Sequence, residues 1–436
     1  MKENKKLVGT ITNGTRYVLE NTKCGNKISI IMGVNVGSRD ELDEYKGISH
    51  FLEHMLFRGT KKYPTSELLN EKLYKLGGYF NASTHYEKTQ YEITISKQYL
   101  KVALDILSEL LYHSLLKPKD FAIEKKIIIN EYNEQLSNPY DKRWDSQSKV
   151  VFKDTRLEIP IIGTLQTINK ITPKLLHQFM NIYYQPENII ISIAGDISFT
   201  TTKQMIETYF SKQVAYSVPV HKIMKEDSQR ILYPCLITET YPQSPRTKHI
   251  PFSEEQSYIS ISFPAYEYNN EKTWTLLLLS ELLTGNHEVS RLFKLLRANK
   301  GLIYNIYSEY YPIGNDIGLF TIDFETTNNQ KSDNIEHCLY LLFNELLKLI
   351  NKGVTDKELS LGKSHIIESL HQDDLDVDSI SEKNLNNISL INRVRNKQEI
   401  IQKYKSVTKN MIHEVCKDIF KLNKCSLVYL SHKKIF

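Results

Sequence analysis

The stretch Gly47-Ile48-Ser49-His50-Phe51-Leu52-Glu53-His54-Met55-Leu56-Phe57-Arg58-Gly59 carries both the architecture and the chemistry of this chain. It reads as helical over 47–58. Its part from His50 to Gly59 lies without gaps on Leu276-Leu277-Leu278-Leu279-Ser280-Glu281-Leu282-Leu283-Thr284-Gly285. Each copy follows a strand-like run and precedes a helix-turn segment. Where the first copy has His50, Glu53 and His54, the second has Leu276, Leu279 and Ser280. The simplest reading is an α+β unit present twice, with chemistry kept in one copy.

Outward from the motif, Lys27 to Val36 reads as a buried strand. Thr65 to Leu76 reads as a helix with a Thr/Ser cap and Gly77-Gly78 after it. Phe80 to Ser83 and Thr89 to Lys97 read as paired strands, and amphipathic helices are predicted at about 98–116 and 119–136. Asn188 to Ala194 is a further strand, and Thr200 to Phe210 a further helix. Asn13-Gly14 between two β-type runs predicts a two-residue hairpin. From about 214 to 250 the patterning weakens, with Pro219, Pro234, Pro242 and Pro245 in a polar stretch, the composition of an interdomain connection. Regular patterning resumes at Ser257 to Phe263. The boundaries are therefore 1–213, a linker over 214–249, and 250–436.

The 436 residues suit two to three domains, and 41% hydrophobic with 25% charged residues is a globular composition. The longest apolar run, Leu276 to Leu279, stops at Ser280-Glu281, far short of the roughly 18 residues of a membrane span. Net charge is +5, from 56 basic and 51 acidic residues with no long basic block, so neither a nucleic-acid nor a membrane-surface partner is expected. Five cysteines, odd in number and without a CxxC, read as scattered reduced thiols. No apolar region follows the charged N-terminus. An intracellular, cytoplasmic protein is expected.

Residues at i and i+4 share a helix face, so the imidazoles of His50 and His54 can bind one cation. Two imidazoles with a nearby carboxylate suit Zn²⁺, and Glu53 stands beside that site. The order HxxEH inverts the HExxH zinc helix. Two solvated histidines beside a carboxylate fit the same five residues. Downstream, Glu124 and Glu131 are seven apart, on one face of a helix with Ile127, Ile128 and Ile129 between them. A solvated Glu/Lys face is one reading of it; the isoleucines make the helix partly buried, and a buried carboxylate needs a partner, of which a metal is one.

The chain resembles the insulinase/pitrilysin family of zinc metallopeptidases, including mitochondrial processing peptidase β subunits and bacterial relatives. The resemblance rests on Gly37-Ser-Arg-Asp-Glu41, Gly47-Ile-Ser-His-Phe-Leu-Glu-His-Met-Leu-Phe57, Gly77-Gly78, Asn81-Ala82, Glu87, Thr89, Tyr91, Glu124 and Glu131. It continues in Ser290-Arg-Leu-Phe-Lys-Leu-Leu-Arg297 and Lys300-Gly-Leu-Ile-Tyr304. It implies an α+β fold of two homologous α/β-sandwich domains, each a mostly antiparallel sheet covered by helices. The first would be the zinc-binding peptidase domain. The second would lack the metal site and contribute substrate-binding residues.

By the same resemblance, His50, His54 and Glu131 are the ligands of one Zn²⁺ per chain. Glu53 is the general base for a zinc-activated water, and Glu124 a second carboxylate supporting the site. Asn81 and Ala82 lie on a strand edge that binds substrate as an added β-strand. Arg297 and Tyr304 reach the substrate from the second half. The activity implied is that of an endopeptidase acting on unfolded peptides or precursor segments. A catalytically silent partner subunit of the family is the alternative, and such subunits usually have degraded zinc motifs. Single-chain members are about twice this length, so a homodimer is expected, or a heterodimer with a related subunit. His85, after the strand, reads as a surface side chain, and His113, His177, His365 and His413 as structural.

Overall fold

The structure, a computed structural model, describes residues 4–23, 25–211, 241, 244–285, 288–314, 316–327, 334–372 and 376–436. The described part of the chain divides into two compact units. The first contains the strands β1 (Lys5–Thr10), β2 (Arg16–Asn21), β3 (Lys27–Val34), β4 (Tyr79–Thr84), β5 (Thr89–Ser96) and β6 (Ile189–Gly195). They form one sheet in the order β1-β2-β6-β3-β5-β4. Only β2 and β6 run parallel; β1–β2, β6–β3, β3–β5 and β5–β4 are antiparallel.

The apolar run Lys27–Val34 is continuous because β3 is central and covered on both faces. Ile28, Ile30, Met32 and Val34 enter the main core beneath α1 (Ile48–Leu56) and α3 (Leu100–His113). Ile31 faces the other way, against Val18, Ile190, Leu385 and Ile388. The last two belong to a helix from late in the chain, introduced below. A strand buried on both faces cannot alternate polar and apolar residues.

The remaining helices of the first unit are α2 (Ser66–Tyr74), most of α4 (Pro118–Ser137), α6 (Leu165–Lys170), α7 (Pro173–Tyr183) and α8 (Phe199–Phe210). Thr65 caps α2 by accepting a hydrogen bond from the Leu68 amide. The predicted two-residue hairpin at Asn13-Gly14 is a five-residue connection, because pairing closes at Thr10 and Arg16. Asn13 Oδ1 accepts from the Thr15 amide and Gly14 takes φ +97°, which uses up the tight-turn chemistry inside a longer loop.

The second unit holds β7 (Arg246–Pro251), β8 (Gln256–Ala265), β9 (Ile303–Ile313), β10 (Ile317–Thr327) and β11 (Ser426–Ser431), in the order β7-β11-β8-β10-β9. Here only β7 and β11 are parallel. Strand for strand this repeats β2-β6-β3-β5-β4, with one parallel pair at the same end. The helix α9 (Thr273–Thr284) stands between β8 and β9 as α1 stands between β3 and β4. The duplication read from ten residues is thus a duplication of topology.

The linear boundaries, by contrast, are crossed twice. Residues 134–159 belong to the second unit and residues 372–394 to the first. Helix α5 (Pro139–Val151) lies against the second sheet, where Arg143 ion-pairs with Asp323 and Gln147 bonds Ser260 and Ser262. Beyond α10 (Asn334–Lys352) and α11 (Asp356–Gln372), the helix α12 (Val377–Ile391) covers the back of the first sheet. Its Leu385 occupies the space over Gly33, where a β-carbon would sit 2.5 Å from Leu385 Cδ1. Asn384 donates to Glu20, and Ser381 donates to the Ser29 carbonyl. Each segment buries one face against a sheet: that of α5 is mostly polar and held by the Arg143 and Gln147 contacts, that of α12 mixes Val377, Ile380, Leu385 and Ile388 with Ser381, Asn384 and Asn387. The chain returns to the second unit through α13 (Lys397–Ser406) and α14 (Lys409–Ile419). Residues 214–240 of the expected linker lie outside the described residues, and β7 already begins within its last part.

Candidate metal centre and active site

Helix α1 begins at Gly47, whose φ of +96° and close approach to the Ile162 carbonyl (2.4 Å from an added β-carbon) leave no room for a side chain. No side chain within the helix caps its start. The buried carboxylate of Glu41 does so from upstream, accepting from the Gly47 amide at 2.8 Å and the Ser49 amide at 2.7 Å. Burial pushes the Glu41 carboxyl up to about 7, against the pull of Lys46 and those amides. Phe51, Leu52, Met55 and Leu56 are fully buried and fix the rotation of the helix. His50 and His54 are left on its margin, ring centroids 4.6 Å apart.

The facing carboxylates come from α4. Ile128 is buried between Glu124 and Glu131, one turn from each, and anchors that face of the helix. Glu131 Oε1 lies 3.5 Å from His50 Nε2, and Glu131 Oε2 lies 3.4 Å from His54 Nε2. One ligand atom from each of His50, His54 and Glu131 falls within 4.8 Å of the others, the one cluster of this kind among the described residues. Two imidazole nitrogens and a carboxylate oxygen match the protein donors of a catalytic zinc site, which leaves its fourth position to water. The residues present fit that ion.

Glu124 stands one layer out. Its Oε2 lies 3.1 Å from His54 Nδ1, and its Oε1 accepts from Arg58 Nε. A carboxylate on Nδ1 fixes the imidazole tautomer that leaves Nε2 for a metal. Burial alone would lower the basicity of His54, but hydrogen bonds to Glu124 and Glu131 outweigh it, and the imidazole is raised to about 9. Burial would raise Glu131, but the two histidines hold it well below the usual carboxylate range. Glu124 is likewise drawn down, against its burial, by His54 and Arg58. His50 Nδ1 is buried with no hydrogen-bond partner among the described residues.

Glu53, on the same helix, ligates nothing in this arrangement. It is 8% exposed, and its Oε2 accepts a 2.6 Å hydrogen bond from Thr84 Oγ1 at the end of β4. Strand β4 forms the free edge of the sheet, paired on one side only, with Asn81 opposite Glu92 and Ala82 opposite Tyr91. Arg297 and Tyr304 lie in the second unit. The Arg297 guanidinium sits 5.1 Å from the Tyr304 ring centroid, and Tyr304 is 71% exposed. His85 is not a surface residue: it is half-buried, 3.1 Å from Ser83 Oγ, and burial pushes its imidazole down to about 4.

Sequence reasoning passed over Arg58 and Thr84, and quoted Glu41 in the resemblance without giving it a role. Arg58 is the only one with a local signal, four residues beyond His54 in the turn that ends the motif helix. Thr84 and Glu41 act across the sheet and a loop, and no periodicity announces them.

Residues 16–165 match the family described as Insulinase (Peptidase family M16), and residues 170–365 match its companion, the Peptidase M16 inactive domain. "Uncharacterized zinc protease YmxG" of Bacillus subtilis (strain 168) is 30% identical over 94% of this chain and 95% of its own length. A protein of Rickettsia bellii named "Uncharacterized zinc protease" is 28% identical over 98% of each chain. A protease from Helicobacter pylori superposes with TM-score 0.88 at 21% identity, covering 98% of this chain and all of that one. The periplasmic protease PqqL from Escherichia coli gives 0.79 at 20% identity, covering 99% of this chain and 48% of its own. The chain belongs to the insulinase family, peptidase family M16, with the family's HxxEH pattern, His50 to His54, in the first matched range and the companion domain after it. No described helix is long and apolar enough to cross a membrane.

Proposed function

We propose that the chain is a zinc-dependent endopeptidase holding one Zn²⁺ on His50, His54 and Glu131. The observation that carries this reading is the convergence of those three donors while Glu53, on the same helix, is held aside by Thr84. A zinc ion bound there supplies a Lewis acid for the scissile carbonyl and lowers the pKa of a water. Glu53 takes the proton of the attacking water and passes it to the leaving amine. Glu124 and Arg58 keep His54 in the ligating orientation. An extended peptide adds to the free edge of β4 at Asn81 and Ala82, a mode that recognises backbone rather than side chains and suits unfolded substrates. Arg297 and Tyr304 offer a guanidinium and a phenol to a carbonyl oxygen gaining negative charge.

The working form in this reading is a homodimer. This chain has the length of about half of PqqL, and it carries the metal-binding and the Arg/Tyr residues together. The test is cleavage of an unstructured peptide library, mapped by mass spectrometry, by wild type and Glu53→Gln. Cleavage by wild type, with none by a zinc-loaded Glu53→Gln, supports the reading. A zinc-loaded wild type that cuts nothing, or an unaffected variant, refutes it. Light scattering on the same sample tests the dimer, and an active species near 50.8 kDa would refute it.

A further inference from the structure

We propose that Thr84 is the positioning residue of the general base, tying the carboxylate of Glu53 to the last residue of the substrate-binding strand. This rests on the peptidase reading above and adds a residue to it. The hydroxyl of Thr84 donates to Glu53 Oε2 at 2.6 Å, and Oε1 accepts no hydrogen bond from the described residues. The contact therefore sorts the two carboxylate oxygens into one that is held and one that is available to a water. A hydrogen bond to an ionised group is short and directional, so it fixes rotation about the carboxylate as well as its location.

Thr84 is held by the sheet, and the turn after it is held as well. Its backbone closes the β4–β5 ladder opposite Thr89. The connection that follows is pinned by the Ser38 amide on the His85 carbonyl at 3.1 Å and the Arg39 amide on the Tyr86 carbonyl at 2.7 Å. Arg39 also ion-pairs with Glu87 at 2.6 Å. Gly37 lies against the same turn, where a β-carbon would stand 2.2 Å from the His85 carbonyl oxygen. A β-branched side chain on so fixed a backbone has little χ1 freedom. Asn81 and Ala82, on the same strand, are where an added peptide strand would pair.

The test uses Thr84→Val, which keeps the shape and removes the hydroxyl, and Thr84→Ser, which restores it. Thr84→Val is expected to lower kcat about 10- to 100-fold, with KM within about twofold and zinc affinity unchanged. Thr84→Ser is expected to recover to within about threefold of wild type. A crystal structure of Thr84→Val should show the Glu53 carboxylate rotated from its wild-type orientation, a readout that does not depend on any substrate. The proposal is overturned by an unchanged kcat, by a Ser variant as impaired as Val, by a rise in KM alone, or by an unmoved carboxylate. A wild type that binds zinc but cleaves nothing would sink the peptidase reading instead, leaving the crystal structure to judge whether Thr84 orients Glu53.

Discussion

Replacing Glu131 by Gln and, separately, Glu124 by Gln should weaken zinc binding to very different extents. Both carboxylates lie within hydrogen-bonding or ion-pairing distance of His54, at 3.4 Å and 3.1 Å, so distance from the histidine does not separate them. The nitrogen each one meets does. Glu131 faces Nε2 of both His50 and His54, the atoms that must converge on the metal, whereas Glu124 faces Nδ1 of His54 and is shared with Arg58. Zinc sites of small domains are worth roughly 10–16 kcal/mol, so one of three protein ligands is worth about 3–5 kcal/mol. Losing it weakens binding about 200- to 5,000-fold. Loss of the outer carboxylate leaves all three ligands and costs about 10- to 100-fold, through a less constrained imidazole. The measurement is the zinc dissociation constant by competition with a chromophoric chelator, on variants whose circular dichroism and unfolding midpoint match wild type. If Glu124→Gln strips the metal while Glu131→Gln retains it, the ligand assignment is wrong.

Four further outcomes follow from the same geometry. His54 is raised to about 9 in the metal-free protein, so zinc must expel a proton at neutral pH. Affinity should climb about tenfold per pH unit from near 6.5 towards 9, and a flat profile between pH 7 and 8.5 would contradict this. By the same sign, the His54 contribution to metal-free stability is fully present below the unfolded value and fades as pH rises through about 9, which thermal unfolding of the chelator-treated protein checks. Leu385→Ala, at a residue 1% exposed over Gly33, should destabilise the first domain by about 2–5 kcal/mol, read by denaturant unfolding; a change below about 1 kcal/mol would mean that α12 does not cover that sheet. Glu41→Gln leaves Lys46 without its nearby carboxylate and one orphan amide of α1 without a charged acceptor. It should cost about 1–3 kcal/mol by thermal unfolding, and an unaltered midpoint would remove Glu41 from the support of the motif helix.

What could be read beforehand was whatever is local. His50 and His54 are a spacing on one helix, and Glu124 and Glu131 are a second spacing on another, so both halves of the candidate site were visible as periodicity. That the two helices meet was visible only through resemblance. The Thr65 cap is a three-residue signal, and it holds. The compact units cross the linear boundaries at two segments for a physical reason: a helix's sequence shows which residues can be buried, not which sheet they cover. Residues 139–151, with a mostly polar buried face, and 377–391 could each lie beside either sheet in sequence terms. Arg143 against Asp323 and Leu385 over Gly33 decide between the sheets, and both pairings span well over a hundred residues. Thr84 and Glu41 escaped for a related reason, since a hydroxyl at a strand end and a carboxylate in a loop acquire their roles only from what the fold sets opposite them.

The second copy of the motif shows what the same scaffold does once the chemistry is gone. Leu276 and Leu279, at the positions of His50 and Glu53, are completely buried and belong to the core of the second domain. Ser280, at the position of His54, turns instead to the strand that follows, donating to the Ser308 carbonyl at 3.0 Å and meeting its hydroxyl at 2.8 Å. Strand β9, which carries Ser308, is the counterpart of β4, which carries Thr84. In both copies, then, a hydroxyl ties the motif helix to the strand after it, but at different positions: at Glu53 in one, and at Ser280, the counterpart of His54, in the other. A tether of this kind forms where no metal pattern remains, so a tether alone is not catalytic. What is particular to the first copy is that the tethered group is a carboxylate, on the helix that also carries His50 and His54. This makes the rescue experiment decisive: restoring a hydroxyl at Thr84 restores the scaffold in either case, but only a role in aiming Glu53 predicts that kcat returns with it while KM and zinc affinity stay where they were.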